Sequence, residues 1–246
     1  MWLLLDAGNT RLKWRRSDGE QLIDGGSVPA TGEQTTQRLR SVFTERGPIS
    51  RVVASNVAGP DAAQLMERIA GEVLGISVEF VRPTAEFRGL RNGYAVPESL
   101  GADRWVAMIG ARELVRGPVC IVDCGTAVTL DWITADGVHA GGMIIPGRRL
   151  MGDCLAAGTR QIRLHGNDGA PLTDMPGGDT QACISAGMVA CVTGMVEHTV
   201  RKLGGDIEVN CLISGGDGPA FASCLGVPHR LVPDLTFHGL LAYARG

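Results

Sequence analysis

Apolar and polar positions along this chain switch between a period of two and a period near 3.6, and the switches mark out its elements. Residues 2–6 form a short apolar run with a turn after it, and residues 11–15 alternate charged and apolar side chains as a half-exposed strand does. Residues 21–28 give a third strand before the break at Pro29-Ala-Thr31-Gly32. A helical pattern follows over 33–45, then a short strand over 52–55. Residues 60–73 form a second helix with Pro60 in its first turn, where a missing N–H costs nothing. Residues 76–81 are again strand-like, and 97–115 predict a helix carrying residues 101–104.

Arg116-Gly117-Pro118 punctuates the chain, which predicts domains over 1–116 and 117–246. The opening pattern then returns. Residues 119–123 are apolar and end in Asp, 127–133 and 138–145 are strand-like, and a helix holds Met151 and Leu155. A Gly/Pro-rich loop over 166–178 precedes a long helix over 180–202, a strand over 207–214 and a closing helix over 233–245. Leu3-Leu4-Leu5-Asp6-Ala7-Gly8-Asn9-Thr10 is echoed by Ile121-Val122-Asp123-Cys124-Gly125-Thr126, half a chain length later. Each is an apolar strand ending in Asp, then Gly, then a hydroxyl or amide. Similarity at that spacing points to a duplicated α/β unit whose copies face one another.

Composition narrows the function. With 44% hydrophobic and 20% charged residues among 246, the chain can bury a full core. A formal net charge of −3 argues against nucleic acid as a partner, since phosphate binding needs a basic face. Of the basic pairs, Arg15-Arg16 reads as solvated surface. The seven cysteines form no C-x-x-C pair, and the five histidines (His139, His165, His198, His229, His238) show no ligand spacing, so zinc is not expected. Dispersed thiols and a start with no leader predict a reducing, cytoplasmic setting. The apolar run over 182–196 is shorter than the roughly 20 residues a membrane span needs, so a buried core or interface helix is expected there.

The two Asp-Gly turns carry the candidate chemistry. Gly8 can adopt positive φ and admit a ligand close to the backbone, while turn N–H groups, Asn9 and Thr10 suit phosphate oxygens. Asp6 beside a polyphosphate makes sense if a divalent cation lies between them, held directly or through water. Asp123 and Thr126 repeat the carboxylate and hydroxyl, and Ser214-Gly215-Gly216-Asp217-Gly218 supplies a side-chain-poor turn for adenine or ribose. Taken alone, Asp6–Thr10 reads equally well as an ordinary hairpin turn. In Gly101-Ala102-Asp103-Arg104 the Asp-Arg step reads as a surface ion pair or as a cleft-facing carboxylate, the latter favoured by Asn92 and Tyr94, which can bond a polar metabolite.

In order along the chain, Asp6-x-Gly-Asn-Thr10, Asn92-Gly-Tyr94, Gly101-x-Asp-Arg104, Asp123-x-Gly-Thr-Ala127 and Gly141-Gly-x-Ile-x-Pro-Gly147 resemble the type III pantothenate kinases, as do the Thr180 region and Pro233-Asp-Leu-Thr-Phe-x-Gly-Leu240. The resemblance implies two ribonuclease-H-like domains of the acetate and sugar kinase/Hsp70/actin superfamily, with a nucleotide cleft between them. It implies phosphorylation of pantothenate by ATP with Mg²⁺, a monovalent cation (K⁺ or NH₄⁺) and a homodimer. Carried over by position, Asp6, Ala7, Gly8, Asn9, Thr10, Arg11, Leu12, Lys13 and Thr126 would bind ATP, and Asp123 would hold the monovalent cation. Tyr94, Gly101, Ala102, Asp103, Arg104 and Thr180 would bind pantothenate, with Asp103 as general base. One departure is Asp179, where the family often has Asn; it adds a negative charge near an anionic substrate. The rival readings are a kinase of the same fold for another small metabolite and a non-catalytic nucleotide-binding accessory factor for transcription.

Overall fold

The computed structural model of the protein describes residues 1–45, 47–159, 162 and 172–246. It contains two compact units, Met1–Leu114 with Asp234–Gly246, and Val115–Pro233. The first holds β1 (Trp2–Ala7), β2 (Arg11–Ser17), β3 (Leu22–Pro29), α1 (Glu33–Thr44), β4 (Arg51–Asn56), α2 (Pro60–Leu74) and β5 (Val78–Phe80). A hairpin of β6 (Glu86–Phe87) and β7 (Leu90–Arg91), a 3-10 turn over Pro97–Ser99, and α3 (Ala102–Leu114) follow. The second holds β8 (Val119–Cys124), β9 (Ala127–Ile133), β10 (His139–Pro146), α4 (Arg148–Gly158), α5 (Thr180–Gly204), β11 (Asn210–Ser214), α6 (Gly218–Ala222) and β12 (Arg230–Leu231). The chain closes with α7 (Leu235–Ala244).

The two sheets are wired alike. Their strand orders are β3-β2-β1-β4-β5 and β10-β9-β8-β11-β12, each with an antiparallel three-strand meander and two parallel additions. This is the duplicated unit that the echo around Asp6 and Asp123 predicts. Alternation sorts the side chains of the first sheet. Leu3, Leu5 and Ala7 pack with Leu39, Phe43, Met66 and Ile69 of α1 and α2, while Leu4 and Val53 project to the other face and are equally buried. On that face α3 and α7 lie against each other and against β4.

Register also overturns the surface reading of Arg15-Arg16. Arg16 pairs with Leu3 and Arg15 with Leu4, so the two guanidinium groups leave opposite faces of β2. Arg16 is 1% exposed; it donates to the Val42 carbonyl at 2.8 Å and lies over the Trp14 ring. Arg15 donates to Asp234 and lies over Phe237, tying the sheet to the start of α7.

Other boundaries move for local reasons. The helix expected over 97–115 is interrupted: Leu100 is extended, and α3 begins only at Ala102. The strand expected from 207 starts at Asn210, and α6 and the short strands β6, β7 and β12 carry too few residues to show a period. Of the loop expected over 166–178, residues 166–171 lie outside the described residues, as does His165. His139, one of the five histidines, is fully buried and bonded to Asp131 at 2.9 Å. The long helix α5 has 25 residues, so length does not separate it from a membrane span. Its packing describes it better, because Val189, Val192 and Val196 join Cys120, Val122 and Ile213 in one apolar cluster.

The closing helix, assigned by the boundary at 116/117 to the second half, belongs to the first unit. Two glycines explain this. A β-carbon at Gly110 of α3 would stand 2.3 Å from the Leu235 carbonyl oxygen, and one at Gly239 of α7 would stand 1.8 Å from that of Val106. The helices touch backbone to backbone, which a single methyl group would forbid. Accordingly, Gly239→Ala should lower unfolding stability by about 2–4 kcal/mol in urea titrations, the upper range of overpacking. Gly71→Ala, in open space on α2, should raise it by up to about 1 kcal/mol.

Candidate active site

In the first unit, Asp6 is the penultimate residue of β1 and pairs directly with Lys13 of β2. Gly8, Asn9 and Thr10 form the connecting turn, closed by a bond from the Gly8 N–H to the Arg11 carbonyl at 3.0 Å. Gly8 does not adopt the positive φ expected of it; glycine suits this turn because a β-carbon would press on the Arg11 carbonyl at 3.3 Å. Ala7 and Leu12 are core residues, so a ligand here meets their backbone only. Asn9, Thr10 and Arg11 are exposed, and Arg11 donates through Nε to Ser27 at 3.1 Å.

Farther along the same unit lie Tyr94 and residues 101–104. Arg104 is 7% exposed and donates to the Tyr94 hydroxyl at 2.9 Å, with its guanidinium 5.7 Å from the ring centre. Asp103, half-buried in the first turn of α3, accepts from the Arg104 N–H at 2.8 Å. A β-carbon at Gly101 would lie 2.6 Å from the Asp103 Oδ1, so a larger residue there would turn the carboxylate aside. Asp103 also stands where the partial positive charge of a helix start favours a carboxylate.

In the second unit, Asp123 is the penultimate residue of β8, the place Asp6 holds in β1. The Gly125 N–H bonds the Ala127 carbonyl at 3.0 Å, and Gly147 donates to the Thr126 carbonyl at 2.9 Å. From the other side, the Asp217 N–H bonds the Cys124 carbonyl at 3.0 Å. Three loops therefore meet beyond the carboxyl ends of the parallel strands β8 and β11, the usual place for a ligand in open α/β sheets. Side chains are excluded from the contact: β-carbons at Gly147 and Gly215 would stand 2.2 Å and 2.3 Å from the carbonyl oxygens of Gly125 and Cys124. The sequence motifs include Asp123, Thr126 and residues 214–218; Gly147 stands in them only as the end of the Gly141–Gly147 motif, with no role at this turn. Its signal was the Pro-Gly step before a helix.

Thr180 opens α5 and is exposed, while Asp179 accepts from the Ala182 N–H at 2.8 Å as its N-cap. The side-chain oxygen of Asp179 thus serves the helix terminus, where Asp and Asn cap equally well. Among the described residues no three or more His, Cys, Asp and Glu side chains cluster around a metal position. A single carboxylate such as Asp6 fits a magnesium ion that arrives with ATP, because such an ion keeps phosphate and water oxygens as most of its ligands.

A model of the type III pantothenate kinases matches residues 2–202. A type III pantothenate kinase of Nitrosococcus oceani is 35% identical over all of this chain and 94% of its own. The chain belongs to the type III pantothenate kinase family. Another member, from Aromatoleum aromaticum, is 37% identical over 100% of this chain and 98% of its own. Among solved structures, a 2-dehydro-3-deoxygalactonokinase protein of Sinorhizobium meliloti superposes with a TM-score of 0.61 at 14% identity, covering 100% of this chain and 98% of that one. That likeness is one of fold: an α/β chain with two mixed sheets, each wired as a ribonuclease-H-like unit.

Beside the second turn, the buried Cys124 thiol is strongly perturbed. Burial pushes it up to about 12 from an ordinary 9.0, helped by the charges of Asp123 and Asp217. The folded protein therefore keeps this proton at pH values where the unfolded chain releases it, and stability falls as pH rises from about 9 toward 12. Comparing urea titrations of wild type and Cys124→Ala at pH 8 and pH 10.5 should show wild type losing about 2 kcal/mol more than the variant. Equal losses would show that Cys124 ionises alike in both states.

Proposed function

We propose that this chain transfers the γ-phosphoryl group of ATP to the hydroxyl of pantothenate, giving 4′-phosphopantothenate in the first step of coenzyme A biosynthesis. The observation that carries this reading is the family match over residues 2–202, joined by relatives of that name covering the whole chain. Phosphoryl transfer asks a protein mainly for positioning and charge neutralisation. Asp6 and the turn to Lys13 would hold the ATP phosphates, and Thr126 would contact ATP. A magnesium ion bound with ATP would neutralise phosphate charge, with Asp6 holding it directly or through water. Asp123 would hold a monovalent cation, K⁺ or NH₄⁺, and the thiols distributed along the chain suit a cytoplasmic enzyme.

For the acceptor, Tyr94, Gly101, Ala102 and Arg104 would bind pantothenate, with Thr180 reaching it in the same or a partner subunit. Asp103 would orient the hydroxyl and accept its proton as the new bond forms. The test is ADP release by the purified protein with and without pantothenate. Pantothenate-dependent release is expected, and Asp103→Asn should lower kcat by about 10²–10⁴, as loss of a general base does. Full turnover by that variant would remove Asp103 from the chemistry.

The chain would work as a homodimer. Gly187, Ala190, Cys191 and Gly194 form an exposed stripe of small residues on α5, and the neighbouring β10 exposes Met143 and Ile144. A second copy of the same surface is the occupant that close helix approach favours. Sedimentation should therefore find a dimer, and Ala190→Arg should shift it toward monomer. An unchanged dimer in that variant would place the interface elsewhere.

A further inference from the structure

The sequence suggests Asn92 as a group that bonds a metabolite, yet its side chain is engaged within the first unit. The Nδ2 group donates to the carbonyls of Thr84 at 3.3 Å and Pro97 at 3.1 Å, and Oδ1 accepts from the Tyr94 N–H at 3.0 Å. Its own N–H bonds the Ala85 carbonyl at 2.9 Å. The partners dictate the orientation of the amide, because two carbonyls can only accept and a backbone N–H can only donate. Both N–H donors are spent on protein, leaving none for a ligand.

What Asn92 joins is the segment that frames the candidate acceptor site. Thr84 enters the hairpin of β6 and β7, which turns at Arg88 and Gly89, both with positive φ. Pro97 begins the 3-10 turn that leads through buried Leu100 to Gly101, Asp103 and Arg104. Between them stands Tyr94, whose hydroxyl accepts from buried Arg104.

We propose that Asn92 is a positioning residue for acceptor recognition: by tying residues 84, 94 and 97 together it fixes the Tyr94 ring against Arg104, and it does not touch the substrate itself. This rests on the pantothenate kinase reading above. Asn92→Asp is the sharpest probe, since it keeps the size and the Tyr94 acceptor but sets a carboxylate oxygen against two carbonyls. It should raise KM for pantothenate about tenfold, the scale of one or two lost hydrogen bonds. KM for ATP should stay within about twofold. Because Asn92 acts through Tyr94, Asn92→Asp combined with Tyr94→Phe should be no worse than the worse single variant, whereas independent contacts would multiply their effects.

The chain has only two tyrosines, Tyr94 and Tyr243, which gives a readout that needs no turnover. In protein labelled with 3-fluorotyrosine, Asn92→Asp should move the ¹⁹F resonance of Tyr94, assigned by its loss in Tyr94→Phe. If Asn92→Asp does not fold, Asn92→Ser takes its place in every arm. Multiplying effects, equal rises in both KM values, or an unmoved Tyr94 resonance would each overturn the proposal. Absence of pantothenate-dependent ADP release in wild type would instead remove the functional reading, while the fluorine spectra would still decide whether Asn92 holds Tyr94.

Discussion

Outside a sheet, two backbones can press together only where a side chain is missing, and contacts of that kind hold the candidate residues of both units in place. In the first unit, α3 meets α7 at Gly110 and Gly239, with carbonyl oxygens where β-carbons would be. The position of α3 along its neighbour is thereby set, and with it the first turn that carries Asp103 and Arg104. In the second unit, Gly147 and Gly215 press from two sides on the turn that follows Asp123. Protein interiors resist even one added methylene, so these contacts admit little sliding.

Around those contacts the same sheet is built twice. The shared wiring places Asp6 and Asp123 at equivalent points, one residue before the end of the central strand. The copies then diverge in what surrounds the carboxylate. The first turn is longer, exposes Asn9 and Thr10, and places Asp6 directly opposite Lys13. The second is tighter and is flanked by two glycine-bearing loops. A turn rich in polar groups and a turn flanked by bare glycine backbone offer different surfaces, so the two copies of the sheet are not interchangeable.

Charged and polar residues were the hardest to read from sequence. Arg15 and Arg16 look alike in one dimension, yet strand pairing sends one to Asp234 and buries the other against Val42. Asp179 looks like an extra charge near a substrate and is spent on the start of α5. Asn92 looks like a ligand-binding amide and is spent on three backbone groups. In each case the residue type announces hydrogen-bonding capacity, and only its neighbours in space say where that capacity goes.

By itself the sequence determined the element order, the duplication, the two Asp-Gly turns and the family, because hydrophobic period, glycine position and ordered motifs are local properties of the chain. Its readings were weakest where short or fully buried pieces carry no period, as at β6, β7, β12 and α6. Tertiary structure alone decided that α7 returns to the first unit, that Gly147 and Gly215 grip the turn after Asp123, and that Asn92 faces inward. Those outcomes depend on which backbones come within van der Waals distance, and no single stretch of sequence contains both sides of such a contact.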